Sequence, residues 1–390
     1  MSLELQRPAE RQVAAQSERF NVWSVITSLT MGGAESLVVG LNKCFSLAGH
    51  NHTVVALCDA QTLGNSTEFE RSLAETIAKD GGRFVSLKLG RRRDPISARR
   101  ALNRLLEKES PDVIHAHTAR IIAGIAASRF TNKVVLTHHN SRLSFPSAFF
   151  RFIDLVVDTY VAISPETEAK NESLCSKPAR RISNGISAAF IADTARKPVD
   201  IGGQIISVGA ISDQKNYDLL LAAAHELGKR HPDKEGVKFN IAGPGAKLPE
   251  YRRKVREAGL EGAVEFLGAR SDVPELLRAA NIYLNTSNYE GQSVAMLEAM
   301  ATALPVIATD VPGNRDLVKN RVNGILVDNE NPGAIADAVE QLLTDQDLYA
   351  ECSKGALEIG RRFSVAETAA QHLDLYKSLT RKRQPTSQKG

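Results

Sequence analysis

Two glutamates, Glu290 and Glu298, are separated by seven residues in a stretch whose pattern suggests ligand chemistry. Residues 281–287 before them and 304–309 after them read as buried strands, and residues 293–302 are rich in strong helix formers. The pattern predicts strand, turn, helix and strand, as in a parallel sheet. Carboxylates accept hydrogen bonds from sugar hydroxyls, and a helix start favours phosphate. The stretch could therefore hold a sugar, a diphosphate and a ribose in sequence, although an ordinary βαβ unit with two solvated glutamates fits the same pattern.

The turn between the strand and the helix carries its own chemistry. Gly291 lets the chain bend sharply after the first glutamate. Gln292, Ser293 and Val294 then present backbone amides at a helix start, which carries about half a positive charge. We expect the first glutamate to lie beside an anion bound there. The second glutamate lies inside the helix and reaches a different part of the same ligand.

The letters of this stretch, E-G-Q-S-V-A-M-L-E-A-M-A followed by L-P-V, resemble the E-x7-E signature of the retaining family 4 glycosyltransferases. The resemblance covers most of the chain between residues 21 and 378. It implies an α/β protein with the GT-B fold, in which two Rossmann-like, doubly wound domains face each other across a cleft. It also implies that Glu290 contacts the donor sugar and that Glu298 binds the ribose. Ala303 stands where that family usually has glycine, a departure that we expect to alter only the turn.

Other positions acquire a role only through this resemblance. Lys215 matches a family lysine on the donor diphosphate, but Ala210 stands where the family has an arginine. A diphosphate carries about two negative charges and needs donors. Three explanations stay open: Lys215 and backbone amides suffice, Arg270 or Arg142 replaces the arginine, or the donor site is altered. The remaining donor contacts that the resemblance implies are loop residues: Gly32, Gly33, Gly209, Gly243, Leu267 and Arg270.

Two pairs of histidines end predicted strands, namely His138 with His139 and His115 with His117. Ligands of open parallel sheets bind at the carboxyl ends of the strands, so at least one histidine of the first pair should point into the cleft. The resemblance selects His139 as the one beside the reacting centre, with a packed or hydrogen-bonded histidine as the alternative. His115 and His117 lack a third ligand at metal spacing, so we interpret them as cleft-lining or structural.

The order of predicted elements is that of two doubly wound domains. Strands alternate with helical patterns in both halves of the chain. The sequence predicts an acceptor domain at residues 20–190 and a nucleotide-sugar donor domain at 200–362. A last helix at 363–380 is placed against the first domain by the resemblance. Residues 1–19 and 381–390 are predicted tails, the second of them basic.

Length and composition agree with large aliphatic cores. A chain of 390 residues with 43% hydrophobic and 5% aromatic residues predicts about two domains with parallel sheets. The net charge of +4 gives no indication of nucleic acid. The four cysteines form no C-x-x-C pair, and neither a secretory signal nor an apolar run of about 18 residues is present, so we expect a cytoplasmic protein. No metal or other cofactor is expected, because the only Asp-x-Asp triplet, at residues 345–347, falls between two C-terminal helices.

A basic run occupies residues 88–104 of the predicted acceptor domain and includes Arg91, Arg92 and Arg93. It reads either as a solvated face or as a patch for an acceptor or for the inner membrane surface, where each cation is worth about 1 kcal/mol against anionic lipid. With Arg142, these arginines form the predicted acceptor or membrane site. A lipid-linked diphosphate sugar is the acceptor that we hypothesise.

The sequence therefore predicts a retaining glycosyltransferase with His139, Glu290 and Lys215 as catalytic residues. The donor is a nucleoside-diphosphate sugar, with UDP the most frequent nucleotide of the family, and the sugar is a hexose or N-acetylhexosamine. The acceptor is a glycan or a lipid-linked molecule of polysaccharide or glycoconjugate biosynthesis. No residue stands out as a covalent nucleophile, in line with the same-face attack proposed for the family. A nucleotide-sugar epimerase or phosphorylase and a non-catalytic sugar-binding protein stay open as alternatives.

Overall fold

The structure is a computed structural model that describes residues 19–30, 32–90, 94–139, 147–198, 203–231 and 236–380. The strands are β1 (Asn21–Ile26), β2 (Asn51–Ala56), β3 (Arg83–Ser86), β4 (Val113–Ala116), β5 (Lys133–His138), β6 (Thr159–Ala162), β7 (Ala179–Arg181), β8 (Gln204–Val208), β9 (Lys238–Ala242), β10 (Val264–Gly268), β11 (Ile282–Asn285), β12 (Val306–Thr309) and β13 (Gly324–Val327). The helices are α1 (Gly33–Leu47), α2 (Thr67–Lys79), α3 (Pro95–Leu106), α4 (Ile122–Ala127), α5 (Phe150–Ile153), α6 (Pro165–Leu174), α7 (Tyr217–Arg230), α8 (Leu248–Glu257), α9 (Val273–Ala279), α10 (Val294–Ala301), α11 (Pro312–Arg315), α12 (Pro332–Thr344), α13 (Gln346–Gly360) and α14 (Val365–Thr380).

The strands form two parallel sheets, one in each half of the chain. The first sheet has the order β3-β2-β1-β4-β5-β6-β7, and the second has the order β10-β9-β8-β11-β12-β13. Every pair of neighbouring strands runs parallel. Both faces of such sheets are covered by helices, which explains the near-continuous apolar runs in strands such as β1 and β12. The predicted fold of two Rossmann-like domains is confirmed.

One strand escaped prediction. The three residues of β7 include Arg180 and Arg181, and the last two residues are exposed. They pair with β6 at the edge of the first sheet. An edge strand this short has no apolar alternation to reveal it, whereas β11 and β12 lie within two residues of the bounds predicted for them, 281–287 and 304–309.

The last helix packs on the first sheet rather than on the second. Ala369, Leu373 and Tyr376 of α14 share a buried cluster with Leu41 and Phe45 of α1. The domain boundaries themselves stay predictions, and the predicted tails lie outside the described residues except for Arg19.

Two segments connect the sheets, and they run side by side. The amide of Ile186 donates to the carbonyl of Phe363 at 2.8 Å, and the amide of Val365 donates to the carbonyl of Ile186 at 3.0 Å. A side chain at Gly185 would meet the Cα atom of Val365 at 2.5 Å, so glycine is required for this close approach. The two crossings therefore form one narrow strip of backbone.

Beyond this strip, the linker is fastened to the second domain by Arg196. Its guanidinium donates to the carbonyls of Thr302 and Leu277 at 2.8 Å each and to that of Ala280 at 2.5 Å. The amide of the same residue donates to Ser353 Oγ at 2.7 Å. These carbonyls end helices α9 and α10, so one side chain caps two helices and holds the linker against them.

Candidate active site at the carboxyl ends of the strands

Each sheet has one point where the strand order reverses, and several of the predicted site residues follow the strands at these points. In the first sheet the reversal falls between β1 and β4, followed by Gly33 and His117 respectively. In the second it falls between β8 and β11, followed by Lys215 and Glu290. Open α/β sheets bind ligands at such reversals, because the loops diverge there and leave a crevice.

The centre of the site is an ion pair between Lys215 and Glu290. The Lys215 Nζ atom lies 2.6 Å from Glu290 Oε1, and the side chains are only 16% and 6% exposed. Ser287 Oγ donates to the same carboxylate oxygen at 2.7 Å. Gln214 Nε2 donates to the Tyr289 carbonyl at 3.1 Å and so holds the loop in place. A cation and a carboxylate that were predicted to contact different parts of a donor are thus joined directly.

Two glycines make room for Lys215. A Cβ atom at Gly209 would lie 2.7 Å from Lys215 Cε, and one at Gly243 would clash with the carbonyl oxygen of Gly209. The loops after β8 and β9 can approach each other only because neither residue has a side chain. The structure thus places Gly209 beside the lysine and Gly243 against the backbone of Gly209.

The loop after β11 touches the first domain at two points. A Cβ atom at Gly291 would lie 2.6 Å from the carbonyl oxygen of His139. The amide of Asn184 donates to Gln292 Oε1 at 2.7 Å, and Asn184 Nδ2 donates to the Gln292 carbonyl at 3.2 Å. Both residues of this hydrogen-bonded pair are buried. The cleft is therefore closed at its base, with glycine at the point of closest approach.

The starts of two helices meet beside these contacts. A Cβ atom at Gly33, the first residue of α1, would lie 3.2 Å from Val294 Cβ, the first residue of α10. Ser293 caps α10 by accepting from the Met296 amide at 3.4 Å. Helix starts present amides without intrahelical acceptors, so two positive helix ends converge on one region of the cleft.

Glu298 is the most isolated acid of the site. It is only 8% exposed and forms no ion pair with any described residue. Burial raises its pKa to about 8. A carboxyl group in this state is largely protonated at pH 7, and partners that donate hydrogen bonds would restore its charge.

The histidines that follow β4 and β5 form a stack. His139 Nε2 lies 2.9 Å from His117 Nδ1, and the His117 ring stacks on that of His115 at 4.2 Å between centroids. His139 is partly exposed, whereas His115 and His117 are buried. Burial, with a smaller contribution from His138, lowers the pKa of His139 to about 4. His115 and His117 thus pack behind the His139 ring and support it.

Other predicted site residues are placed less decisively. Leu267 is partly buried against the core of the second domain. Arg270 is held by Asp272, with Nε 2.8 Å from Oδ1 and Nη2 2.5 Å from Oδ2. That pairing occupies the arginine suggested as a replacement for the one missing at position 210. Gly32 precedes α1, where a side chain would clash with the Glu35 carboxylate. The predicted residues Arg91, Arg92, Arg93 and Arg142 lie outside the described residues.

Some residues that shape the site were not predicted. Asn184 is not among the predicted site residues, yet it joins the domains through Gln292. A Cβ atom at Gly313 would lie 2.5 Å from the Glu290 carbonyl oxygen, so this glycine supports the loop from behind. The V-P-G letters after β12 were the only sequence signal for it.

The described part of the basic run forms the outer face of α3. An open surface cavity of about 480 Å³ is lined by Ile96, Glu107 and four arginines, Arg99, Arg100, Arg104 and Arg129. All four arginines are exposed, and none forms an ion pair with a described residue. Ile96 is 63% exposed beside them. Among the described residues, no helix combines the length and the apolar character needed to cross a membrane.

Comparison with known families matches each half of the chain separately. Residues 31–190 match the family described as Glycosyltransferase Family 4. Residues 197–358 match the family described as Glycosyl transferases group 1. Together the two matches cover most of the chain and every strand except β1.

Individual relatives are more distant. The chain is 34% identical to a D-inositol 3-phosphate glycosyltransferase of Corynebacterium urealyticum over 178 residues, which are 44% of this chain and 42% of that enzyme. It is 24% identical to the UDP-Gal:alpha-D-GlcNAc-diphosphoundecaprenol alpha-1,3-galactosyltransferase of Escherichia coli over 302 residues, 71% of this chain and 78% of that one. The chain thus matches less than half the length of the corynebacterial enzyme.

A solved structure resembles the whole molecule. The crystal structure of Alr3699/HepE of Anabaena in complex with UDP-glucose superimposes with a TM-score of 0.74. The match covers 93% of this chain and 100% of the other, with 20% sequence identity. A likeness of this kind establishes the arrangement of the two domains as that of the GT-B fold.

Proposed function

We propose that this chain, whose two halves match glycosyltransferase families and whose fold is GT-B, transfers a hexose or N-acetylhexosamine from a UDP-sugar to a glycan or lipid-linked acceptor, with retention. The observation that carries the proposal is the buried pair of Lys215 and Glu290 at the cleft. One member is a cation suited to a diphosphate, and the other is a carboxylate suited to sugar hydroxyls. The solved relatives with bound UDP and UDP-glucose support the choice of nucleotide.

In this proposal, donor binding rearranges the ion pair. The diphosphate draws Lys215 to itself, and Glu290 is released to accept hydrogen bonds from the sugar. The converging starts of α1 and α10 add backbone amides at the same region, which compensates for Ala210 in place of the family arginine. As the glycosidic bond breaks, negative charge grows on the leaving diphosphate. The lysine and the amides stabilise that charge.

Glu298 and His139 complete the donor site. Glu298 accepts hydrogen bonds from the ribose, and its buried position makes those donors necessary for its charge. His139, whose carbonyl touches Gly291, lies where the sugar joins the diphosphate. No covalent nucleophile or bound metal has a part in this proposal. The acceptor attacks from the same face that the leaving group vacates.

We propose further that the arginine face of α3 contacts anionic lipid. Three exposed arginines of α3, with Arg129 after α4 beside them, lack described acidic partners, and one exposed isoleucine adds an apolar side chain, as in membrane-surface helices. A protein held at a membrane would meet a lipid-linked acceptor there. The lipid-linked substrate named for the Escherichia coli relative supports this direction.

The membrane proposal is tested by vesicle flotation. Substituting Arg99, Arg100 and Arg104 by alanine should abolish flotation with phosphatidylglycerol vesicles at low salt. A control of equal charge, Lys229, Arg253 and Arg256 to alanine on the second domain, should leave it intact. If both variants lost flotation equally, net charge alone would explain the binding, and a specific role of the α3 face would be contradicted.

The glycosyltransferase proposal is tested first by binding and then by product. A thermal-shift panel of nucleotide sugars should show the largest stabilisation with the true donor, since a ligand that binds the folded state stabilises it by mass action. Incubation without acceptor distinguishes an epimerase, which would yield an isomeric nucleotide sugar. With an acceptor, proton NMR of the new linkage reports its anomeric configuration. Inversion would contradict the retaining mechanism, and no shift with any nucleotide sugar would contradict the donor class.

A further inference from the structure

The ring of His139 is ordered by His117, which lies at the end of the neighbouring strand. His139 follows β5, and His117 follows β4. These two strands pair in parallel, with Ala116 of β4 opposite Leu136 of β5. His117 Nδ1 lies 2.9 Å from His139 Nε2, and the rings are inclined by 20° with centroids 5.2 Å apart. No other described residue hydrogen-bonds to the His139 ring. Its Nδ1 atom is therefore the nitrogen left to meet a ligand.

His117 is itself supported on its other face by His115. The two rings stack at 4.2 Å with an angle of 29°. Both nitrogens of His115 have partners, since Nδ1 lies 2.6 Å from the Tyr376 hydroxyl and Nε2 lies 2.7 Å from Thr137 Oγ1. His115 is fully buried, so it cannot rotate without breaking both bonds. The stack is a fixed support that runs from α14 to the cleft.

Each ring of the stack carries a single ring proton at neutral pH. Burial lowers the pKa of His117 well below its usual value, as it does for His139. One of the two facing nitrogens therefore donates and the other accepts. His117 Nε2 is buried and has no partner among the described residues. Because buried N–H groups without an acceptor are rarer than unpaired acceptors, the proton of His117 is expected on Nδ1.

We propose that His117 is a positioning residue that fixes the tautomer of His139, so that His139 presents an Nδ1–H donor to the substrate. When His117 Nδ1–H donates, His139 Nε2 must accept, and the one proton of the His139 ring stays on Nδ1. His139 then stabilises an oxygen of the bound sugar nucleotide and cannot act there as a base. This inference rests on the proposed function and specifies the role of one residue within it.

The tautomer can be measured without any turnover. A long-range proton–nitrogen NMR spectrum of the full chain, with ¹⁵N-labelled histidine, distinguishes a protonated from an unprotonated ring nitrogen. Comparison with His139→Asn assigns the signals of that ring. We expect His139 to show a protonated Nδ1 and an unprotonated Nε2. The opposite pattern would overturn the proposal, whether or not a nucleotide sugar proves to be the substrate.

Three substitutions at position 117 separate positioning from packing. His117→Asn keeps an amide donor near the position of Nδ1, His117→Asp has a similar shape but can only accept when ionised, and His117→Leu does neither. We expect kcat to stay within about threefold of the parent for the asparagine variant and to fall about tenfold or more for the other two, with KM for the donor little changed. The asparagine variant should also keep the parent tautomer of His139.

A matched control removes an equally buried histidine of the same sheet. His52 bonds to Asn42 and Ser24, away from the stack. His52→Asn should leave the His139 tautomer and kcat unchanged even if it lowers the melting temperature. If all three variants at position 117 lost activity equally while the tautomer stayed the same, His117 would be a packing residue only. If the parent turned over no nucleotide sugar, the proposed function would fail, and the spectra would still decide the tautomer.

Discussion

The Lys215 ammonium lies 2.6 Å from the Glu290 carboxylate, and both side chains are largely withdrawn from solvent. Two groups that we assign to different parts of the donor therefore neutralise each other before it arrives. A diphosphate that binds here exchanges one ion pair for another instead of recruiting a solvated lysine. This arrangement keeps a buried acid and base compatible with folding, because an unpaired charge at either position would be costly.

Lys215→Ala should therefore lower stability as well as activity. Removal of one partner leaves the other charge buried and unpaired, at a cost of about 3 kcal/mol in the free energy of unfolding. The double variant Lys215→Ala with Glu290→Gln removes both charges, so it should lose less stability than the sum of the two single variants. Urea unfolding of the four proteins in a double-mutant cycle measures this. Additive losses would show that the pair is not coupled.

The same lysine should control turnover. A charged hydrogen bond lost from the diphosphate costs about 1.5–3 kcal/mol, so kcat/KM of Lys215→Ala should fall about 10- to 150-fold. Lys247→Ala is the control, since Lys247 pairs with Asp213 in the same region but is 41% exposed. Steady-state kinetics with the identified donor measure this fall in kcat/KM. Turnover of Lys215→Ala within about twofold of the parent would contradict its role on the diphosphate.

Nucleotide binding should release a proton near pH 7. Burial raises the pKa of Glu298 to about 8, so the free protein holds a proton there. Ribose hydroxyls that donate to the carboxylate lower this pKa, and affinity for UDP should rise with pH up to about 8 and then level off. Calorimetry in two buffers of different ionisation enthalpy measures the released proton.

Variants identify the carboxyl group that releases this proton. Glu298→Gln should eliminate the release. Glu35→Gln is the companion variant, because burial also raises the pKa of Glu35 to about 7. Proton release that survives Glu298→Gln and disappears in Glu35→Gln would assign the effect to the first domain.

Gly291→Ala should separate the domains at the cleft. The added Cβ atom would lie 2.6 Å from the His139 carbonyl oxygen, closer than real contacts allow, so the loop or the domain must shift. Displacements of about 1 Å at a reacting centre can cost about 100-fold in rate. Gly228→Ala, in an open position of α7, should instead keep activity and add up to about 1 kcal/mol of stability. Comparable activity in the two variants would refute the close approach.

The buried histidines at the stack should make the protein acid-sensitive, among them His372 of α14, whose ring centroid lies 4.9 Å from that of His115. Burial lowers the pKa of His372 to about 3, with smaller contributions from His139 and Arg180, whereas an unfolded histidine titrates near 6.5. The folded state binds fewer protons, so stability is full above pH 6.5 and falls as pH decreases toward the folded pKa. His372→Phe should reduce the loss between pH 7.5 and pH 5 by about 1–2 kcal/mol. Equal losses in parent and variant by urea unfolding would contradict this.

The fold was predictable because its strands are apolar on both sides. Runs such as Val306–Thr309 are typical of strands covered on both faces in a parallel sheet, and the carboxyl ends of such strands point to the candidate site. The contacts between domains were not predictable from local pattern. The hydrogen bonds of Asn184 to Gln292 join residues 108 positions apart. The dipeptide Asn184-Gly185 alone does not distinguish an interdomain contact from an ordinary turn.

The positions of single residues were predicted better than their partners. Lys215, Glu290 and His139 lie at the expected strand ends, but the ion pair between the first two and the support of His139 by His117 depend on distances that no spacing encodes. Arg270 was suggested as a free cation, and its pairing with Asp272 occurs only two positions away. The alternation of polar and apolar residues indicates which side chains are buried. The pairing of charged side chains depends instead on which loops the sheet brings together.

Because Arg196 caps α9 and α10, the linker moves together with the second domain. With the linker bound to the second domain, the articulation between the halves is confined to the strip where Ile186 lies beside Ser364. Opening and closing of the cleft is then a hinge rotation about these two adjacent backbone segments. α14 moves with the first sheet during that rotation, although it follows the second sheet in the sequence.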